Sequence, residues 1–265
     1  MVAAAQDRWA EKQLFARLGI PTAVSGRPEV MAGAFAEGTI VKRRTGGFDG
    51  RGQVRLEPSA SHADLLAAAA QITGPCLAEG LVRFDRELSV VAARSCDGAV
   101  AVYPVVENRH QDGILRETIA PAPGATPDAG RVVIRLMEAL DHVGVMALEL
   151  FEVDGALLAN ELAPRVHNSG HWTIEGAVTS QFEQHLRAVC GLPLGDPSPR
   201  GPSGMVNVIG VEPDPSAVLA VPGAHLHRYG KAARPERKLG HVTVVGVDAQ
   251  DRDDRMAAVR RVLAG

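Results

Sequence analysis

Residues 160–171 read Asn160-Glu161-Leu162-Ala163-Pro164-Arg165-Val166-His167-Asn168-Ser169-Gly170-His171. This short stretch holds a carboxylate, a guanidinium, two imidazoles and two amides. Just upstream, the apolar run 143–151 carries one acid, Glu149. A second apolar run, 156–159, ends at Asn160 and Glu161, and the Asp154-Gly155 between the runs is a strong hairpin signal. Two antiparallel strands would each bring one carboxylate. A buried unpaired charge is costly, so the acids need a cation. Hard oxygen ligands around Mg²⁺, completed by phosphate, meet that need. The plainer alternative is two core acids neutralised by Arg.

The rest of the chain limits the choices. At 265 residues and 46% hydrophobic, it can bury one large core or two small ones. A net charge of −3 gives no reason to expect nucleic acid or a membrane surface. No run approaches the ~18 apolar residues of a membrane span, and the first residues lack signal-peptide regions. Cys76, Cys96 and Cys190 are far apart, which points to a reducing cytoplasm. Among 28 basic residues, the lysines are Lys12, Lys42, Lys231 and Lys238 alone. A Lys inside an apolar segment therefore stands out as having a specific task.

Periodicity and turn residues predict helices at 6–18, 61–72, 128–143 and 180–190, and a last one from about Asp251. They predict strands at 38–41, 53–56, 76–82, 87–94, 100–106, 205–210, 225–229 and 241–247. Residues 110–116 read as a polar loop. The Pro- and Gly-rich stretch 191–204 reads as a domain boundary. Hairpins alternating with helices predict an α+β chain with antiparallel sheets.

Other motifs carry candidate chemistry. Lys42 precedes Gly46-Gly47-Phe48-Asp49-Gly50-Arg51-Gly52, whose glycines let backbone N–H groups approach phosphate. It matches neither the Walker nor the dinucleotide pattern, and a solvated hairpin loop is the bland alternative. Glu79, Gly80, Leu81 and Val82 could read an adenine edge and Glu87 a ribose, unless they are surface acids beside a strand. Arg165, His167, Asn168 and His171 suit an anionic or heterocyclic ligand. Lys231, Arg234, Arg237, Lys238 and His241 form a basic cluster. They suit either a phosphate site or a solvated loop. Asn108, His110, Gln111 and Asp112 could line a cleft or face solvent.

Together, segments 41–53, 110–114, 160–172 and 237–242 resemble the ATP-grasp ligases. More narrowly, they resemble the biotin-independent N5-carboxyaminoimidazole ribonucleotide synthases. The resemblance runs from about Asp7 to the end. It implies an ATP-grasp fold, two α+β subdomains with antiparallel sheets clamping ATP, plus a small β-rich C-terminal domain. The expected divisions are an N-terminal remnant (1–8), a lid subdomain (9–85), a metal and substrate subdomain (86–195) and a C-terminal domain (204–265). It further implies ATP and Mg²⁺, with Mn²⁺ as an alternative metal, bicarbonate and 5-aminoimidazole ribonucleotide as substrates, and a homodimer. By resemblance, Arg8 and Lys42 would contact ATP phosphates, and Gly47, Phe48, Asp49, Gly50, Arg51, Gly52 and Gln53 would form the mobile flap. Glu79, Gly80, Leu81 and Val82 would hold adenine, Glu87 the ribose, and His110 would lie near the nucleotide. Glu149 and Glu161 would bind the metal beside Asn160. Arg165, His167 and Asn168 would hold bicarbonate and carboxyphosphate, and Lys231, Arg237 and Lys238 the ribonucleotide phosphate. Family members carry a further N-terminal βα domain, and this sequence opens where that domain should have ended. The resemblance thus implies either a start placed too late or a fragment. Another ATP-grasp carbon–nitrogen ligase and a non-catalytic nucleotide-binding fragment are the alternatives.

Overall fold

The computed structural model describes residues 6–46, 52–125 and 128–264. The Gly47, Phe48, Asp49, Gly50 and Arg51 part of the expected flap lies outside them. The chain divides into two compact units, Met1–Glu87 with Leu148–Ala163, and Leu88–Ala147 with Pro164–Gly265.

In the first unit, helix α1 (Arg8–Arg17) starts at Asp7, whose carboxylate accepts from the N–H groups of Trp9 and Ala10. Gly19, at φ +61°, stops it. A four-stranded sheet follows in the order β1-β4-β2-β3: β1 (Ser25–Gly26), β2 (Thr39–Arg43), β3 (Gln53–Leu56) and β4 (Cys76–Gly80). All its pairings are antiparallel. Helix α2 (His62–Ala70) is begun by a Ser61–Asp64 capping box. It buries Leu65 and Ala68 against Val41, Cys76 and Ala78 of the sheet. The predicted hairpin is present. Asp154 (φ 49°) and Gly155 (φ 77°) are both left-handed, as a two-residue I′ turn requires. They join β9 (Gly144–Val153), whose first four residues belong to the second unit, to β10 (Ala156–Ala163). A parallel bridge from Thr22 to Ala159 ties β10 into the first unit.

The second unit holds β5 (Arg86–Arg94, its first two residues in the first unit), β6 (Val100–Val102), β7 (Val106–Gln111), β8 (Ile114–Ala120), β11 (Ser203–Ile209), β12 (Ala224–Arg228) and β13 (Lys238–Val245). Its helices are α3 (Asp128–Ala139), α4 (Thr173–Gly176), α5 (Gln181–Val189), α6 (Pro215–Leu219) and α7 (Ala249–Ala264). The strand order runs β5-β7-β8-β11-β13-β12, with β6 on β5. Helices α6 and α7 cover the C-terminal strands around Val206, Leu239, Val242, Met256 and Val259. Gly204 allows that approach, since a Cβ there would collide with the Met256 thioether.

Two expectations are corrected. Residues 110–116 are no loop: β7 and β8 form a hairpin around Asp112 and Gly113, both at positive φ. The same Asp-Gly signal was present in the sequence, but polar side chains masked the strand. Asn108 there is buried, donating to Ser89 Oγ (2.8 Å) and accepting from Thr118 Oγ1 (2.9 Å). The predicted strand 100–106 is broken at Pro104, which cannot donate to a ladder. β11 pairs with β8 on one side and β13 on the other, so the C-terminal strands share a unit with 88–147.

Candidate active site

In the first unit the contacts converge on Glu79. The sequence suggested an acid at a strand end. The structure buries it inside β4 at 4% exposure. β2 pairs with β4 so that Ile40 lies opposite Glu79. Lys42, two residues on, therefore shares that face. Glu79 is divided between two lysines. Lys12 Nζ lies 2.7 Å from Oε1, and Lys42 pairs with Oε2. Burial alone would raise the carboxyl, but the two ammoniums outweigh it and hold it down to about 2.

Lys12 and its neighbours on α1 grip strand β10. The Lys12 ammonium also donates to Thr22 Oγ1 (2.9 Å) and to the Asn160 carbonyl (3.0 Å). Arg8, one turn earlier, donates to Glu161 Oε2 at 2.8 Å. Glu11 accepts the Leu162 N–H at 2.9 Å. Burial, and then the nearby Glu161, pushes the Glu11 carboxyl up to about 8 against the pull of Lys12 and Arg8. One helix face thus holds three successive residues of β10.

The other expected nucleotide residues in this unit lie on further strands and turns. Glu149 is half-buried on β9, and Glu87 is half-buried on the second residue of β5. Gly80 donates its N–H to Val24 O and Leu81 donates its own to Gly38 O. Val82 is half-buried just beyond. Gly52 accepts from the Arg43 N–H at 2.9 Å, and Gln53 opens β3 opposite Lys42.

The second unit gathers the remaining residues. His167 caps a short 3₁₀ turn, Asn168–Gly170, through its Nδ1. Asn168 is locked to Asn207 by two amide hydrogen bonds, of 3.1 and 2.7 Å. Gln181, fully buried, accepts from the His167 N–H (2.9 Å), donates to the His167 carbonyl (2.7 Å) and contacts His171 Nδ1 (3.0 Å). Gly170 leaves room for it, since a Cβ would come 2.5 Å from Gln181 Oε1. Arg165 is exposed and donates to Val166 O. His110 is half-buried near the end of β7. Replacing Gln181 with Ala is expected to strand these buried groups and destabilise the protein by about 1–3 kcal/mol, measured by urea unfolding.

One member of the basic cluster, Lys231, lies over an aromatic ring. Lys231 Nζ lies 4.9 Å from the Tyr229 ring centroid. The Tyr229 hydroxyl meets His241 Nδ1 at 2.8 Å. His241 stacks on His227 (centroids 4.5 Å apart) and lies 4.9 Å from His171. Glu175 anchors the stack through His227 Nε2 (2.8 Å) and the Thr243 hydroxyl. Burial, followed by the neighbouring His167 and His227, lowers His171 to about 4, so it is neutral near pH 7. Arg237 and Lys238 are half-buried where β13 begins.

Glu11, Lys12, Gln181 and Glu175 were missed as contributors. Only Lys12 had left a signal, as one of four lysines and the one within a helix.

Comparison with known proteins gives the family. The ATP-grasp domain model matches residues 22–182, and the model for the phosphoribosylaminoimidazole carboxylase C-terminal domain matches 203–255. An N5-carboxyaminoimidazole ribonucleotide synthase of Pseudomonas aeruginosa is 48% identical, over 98% of this chain and 73% of that protein. The chain belongs to the N5-carboxyaminoimidazole ribonucleotide synthase family. These are ATP-grasp ligases that form carbon–nitrogen bonds. The Escherichia coli synthase is 46% identical over 91% of this chain and 69% of its own length. The chain spans about 61% of the Vibrio parahaemolyticus synthase. The crystal structure of the Thermus thermophilus synthetase superposes with a TM-score of 0.89 at 46% identity, covering 99% of this chain and 74% of that one. The Aspergillus clavatus enzyme in complex with ADP and 5-aminoimidazole ribonucleotide superposes with a TM-score of 0.87 at 30% identity, again over 99% and 74%. Like these synthases, the chain has antiparallel sheets flanked by helices. Among the described residues, no helix is long and apolar enough to cross a membrane.

Proposed function

We propose that this chain carboxylates 5-aminoimidazole ribonucleotide with bicarbonate and ATP, giving N5-carboxyaminoimidazole ribonucleotide, ADP and phosphate in the cytoplasm. The supporting observation is one connected set of contacts in the first unit. It joins Arg8, Lys42, Glu79, Asn160 and Glu161 from four separate segments. A bicarbonate oxygen attacks the γ-phosphorus, ADP leaves, and carboxyphosphate forms. The amine of the acceptor then attacks the carboxyl carbon and phosphate departs. Arg8 and Lys42 offset charge on the transferred phosphoryl group. Arg165, His167 and Asn168 hold bicarbonate, and Asn168 is suited to this because Asn207 fixes its amide. Lys231, Arg237 and Lys238 take the ribonucleotide phosphate.

The donor chemistry fits Mg²⁺ at Glu149 and Glu161. Glu161 is a hard oxygen donor with 43% of its side chain exposed. No group of three or more acidic, His or Cys side chains forms a ready cage among the described residues, so nucleotide phosphate oxygens would complete the shell. Bound there, the ion would neutralise charge on the β- and γ-phosphates. The test is ADP release with bicarbonate, with and without 5-aminoimidazole ribonucleotide, against other amine acceptors. Stimulation by that ribonucleotide alone is expected. Equal stimulation by another amine would assign a different acceptor, and ATP binding with no turnover would assign a binding role.

A further inference from the structure

We propose that Lys12 is a positioning residue for the nucleotide: it is the standing counter-ion of Glu79 that frees Lys42 to bind phosphate. This rests on the nucleotide-binding reading above. The ammonium has three protons, and the structure gives each an acceptor: Glu79 Oε1, Thr22 Oγ1 and the Asn160 carbonyl. At 4% exposure, Lys12 is sealed from water, which makes it a fixed element and not a mobile ligand. Lys42 is less enclosed, with 19% of its side chain exposed against 3% for Lys12. The two lysines therefore share one carboxylate but differ in freedom. If Lys42 turns to a phosphate, Glu79 keeps Lys12 as its partner. If Lys12 is lost, Lys42 becomes the carboxylate's main neutralising cation, and releasing it leaves a buried unpaired charge. The nucleotide must then compete with Glu79 for Lys42. Lys12 also touches β10 at Asn160, beside Glu161, so the same ammonium ties the phosphate side of the site to its acidic side.

The test is a double-mutant cycle on the full chain, read by calorimetry with Mg·ADP, with folding checked by circular dichroism. Lys12→Met is expected to weaken Mg·ADP binding about tenfold or more. Adding Glu79→Gln to Lys12→Met is expected to bring the Kd back to within about threefold of Glu79→Gln alone, because the competing charge is gone. Unchanged affinity in Lys12→Met overturns the proposal. So does a tenfold loss that persists in the Glu79→Gln background, which marks Lys12 as merely structural. Should Lys12→Met not fold, the comparison of Glu79→Gln with the double variant decides alone. A starting chain that fails to bind Mg·ADP would sink the nucleotide reading itself, and is distinct from an additive cycle in a chain that does bind.

Discussion

Glu161→Gln is expected to abolish ATP turnover while the protein stays folded. The substitution keeps the side chain's shape and leaves an amide oxygen to accept from Arg8. The Arg8–Glu161 ion pair is partly exposed, and such pairs contribute about 1 kcal/mol or less to stability. The unfolding midpoint should therefore move little. Chemistry should suffer far more, because an amide is a poor ligand for a hard divalent cation and removes a full negative charge beside the phosphates. Losing one preorganised electrostatic group typically costs a factor of about 100 to 1,000 in rate, or roughly 3–4 kcal/mol of barrier. Steady-state ADP release at saturating Mg²⁺, run alongside a thermal melt, measures both. Near-full turnover would remove Glu161 from the metal site.

The second large effect concerns folding. Glu79→Leu should destabilise the first unit by about 3–5 kcal/mol, since it strands the buried Lys12 ammonium without its charged partner. Double replacement with Lys12→Met should recover most of that loss. The same pair predicts an acid limit. Glu79 titrates ordinarily near 4.5 and is held down to about 2 in the folded chain. Its ionised form is thus bound more tightly in the folded state. The stability it contributes is complete above about pH 4.5 and is lost as pH falls from there towards 2. Unfolding free energies between pH 6 and pH 2 should show a drop in that window which Glu79→Gln lacks. Identical pH profiles for the two proteins would refute the ion-pair account.

How much of this was legible beforehand varies by residue. The Asp154-Gly155 hairpin was plain, because a two-residue I′ turn needs φ > 0 at both positions and few residue pairs tolerate that. The helices expected from 6, 61 and 180 were also plain; they begin at Arg8, His62 and Gln181, behind the capping side chains of Asp7, Ser61 and Ser180. The hairpin at Asp112-Gly113 was missed. Its strands pair polar residues such as Arg109 and Glu117, so period-two alternation is faint. The site divided along the same line. Lys42, Asn160 and Glu161 were readable as chemistry-bearing residues, Arg8 only through the family resemblance, and one set of contacts in the first unit joins them.

Glu11 and Gln181 were not readable, and Lys12 stood out only as a rare lysine, because a charged or amide side chain looks the same in sequence whether buried or solvated. Local rules determined which segments become helix, strand and turn, and a motif of twelve residues marked the family, since both depend on near neighbours along the chain. Only the tertiary structure decided that Glu79 lies between two lysines and that one face of α1 grips β10. Burial and pairing join residues as far apart as Lys12 and Asn160, and that distance in sequence leaves no periodicity to read.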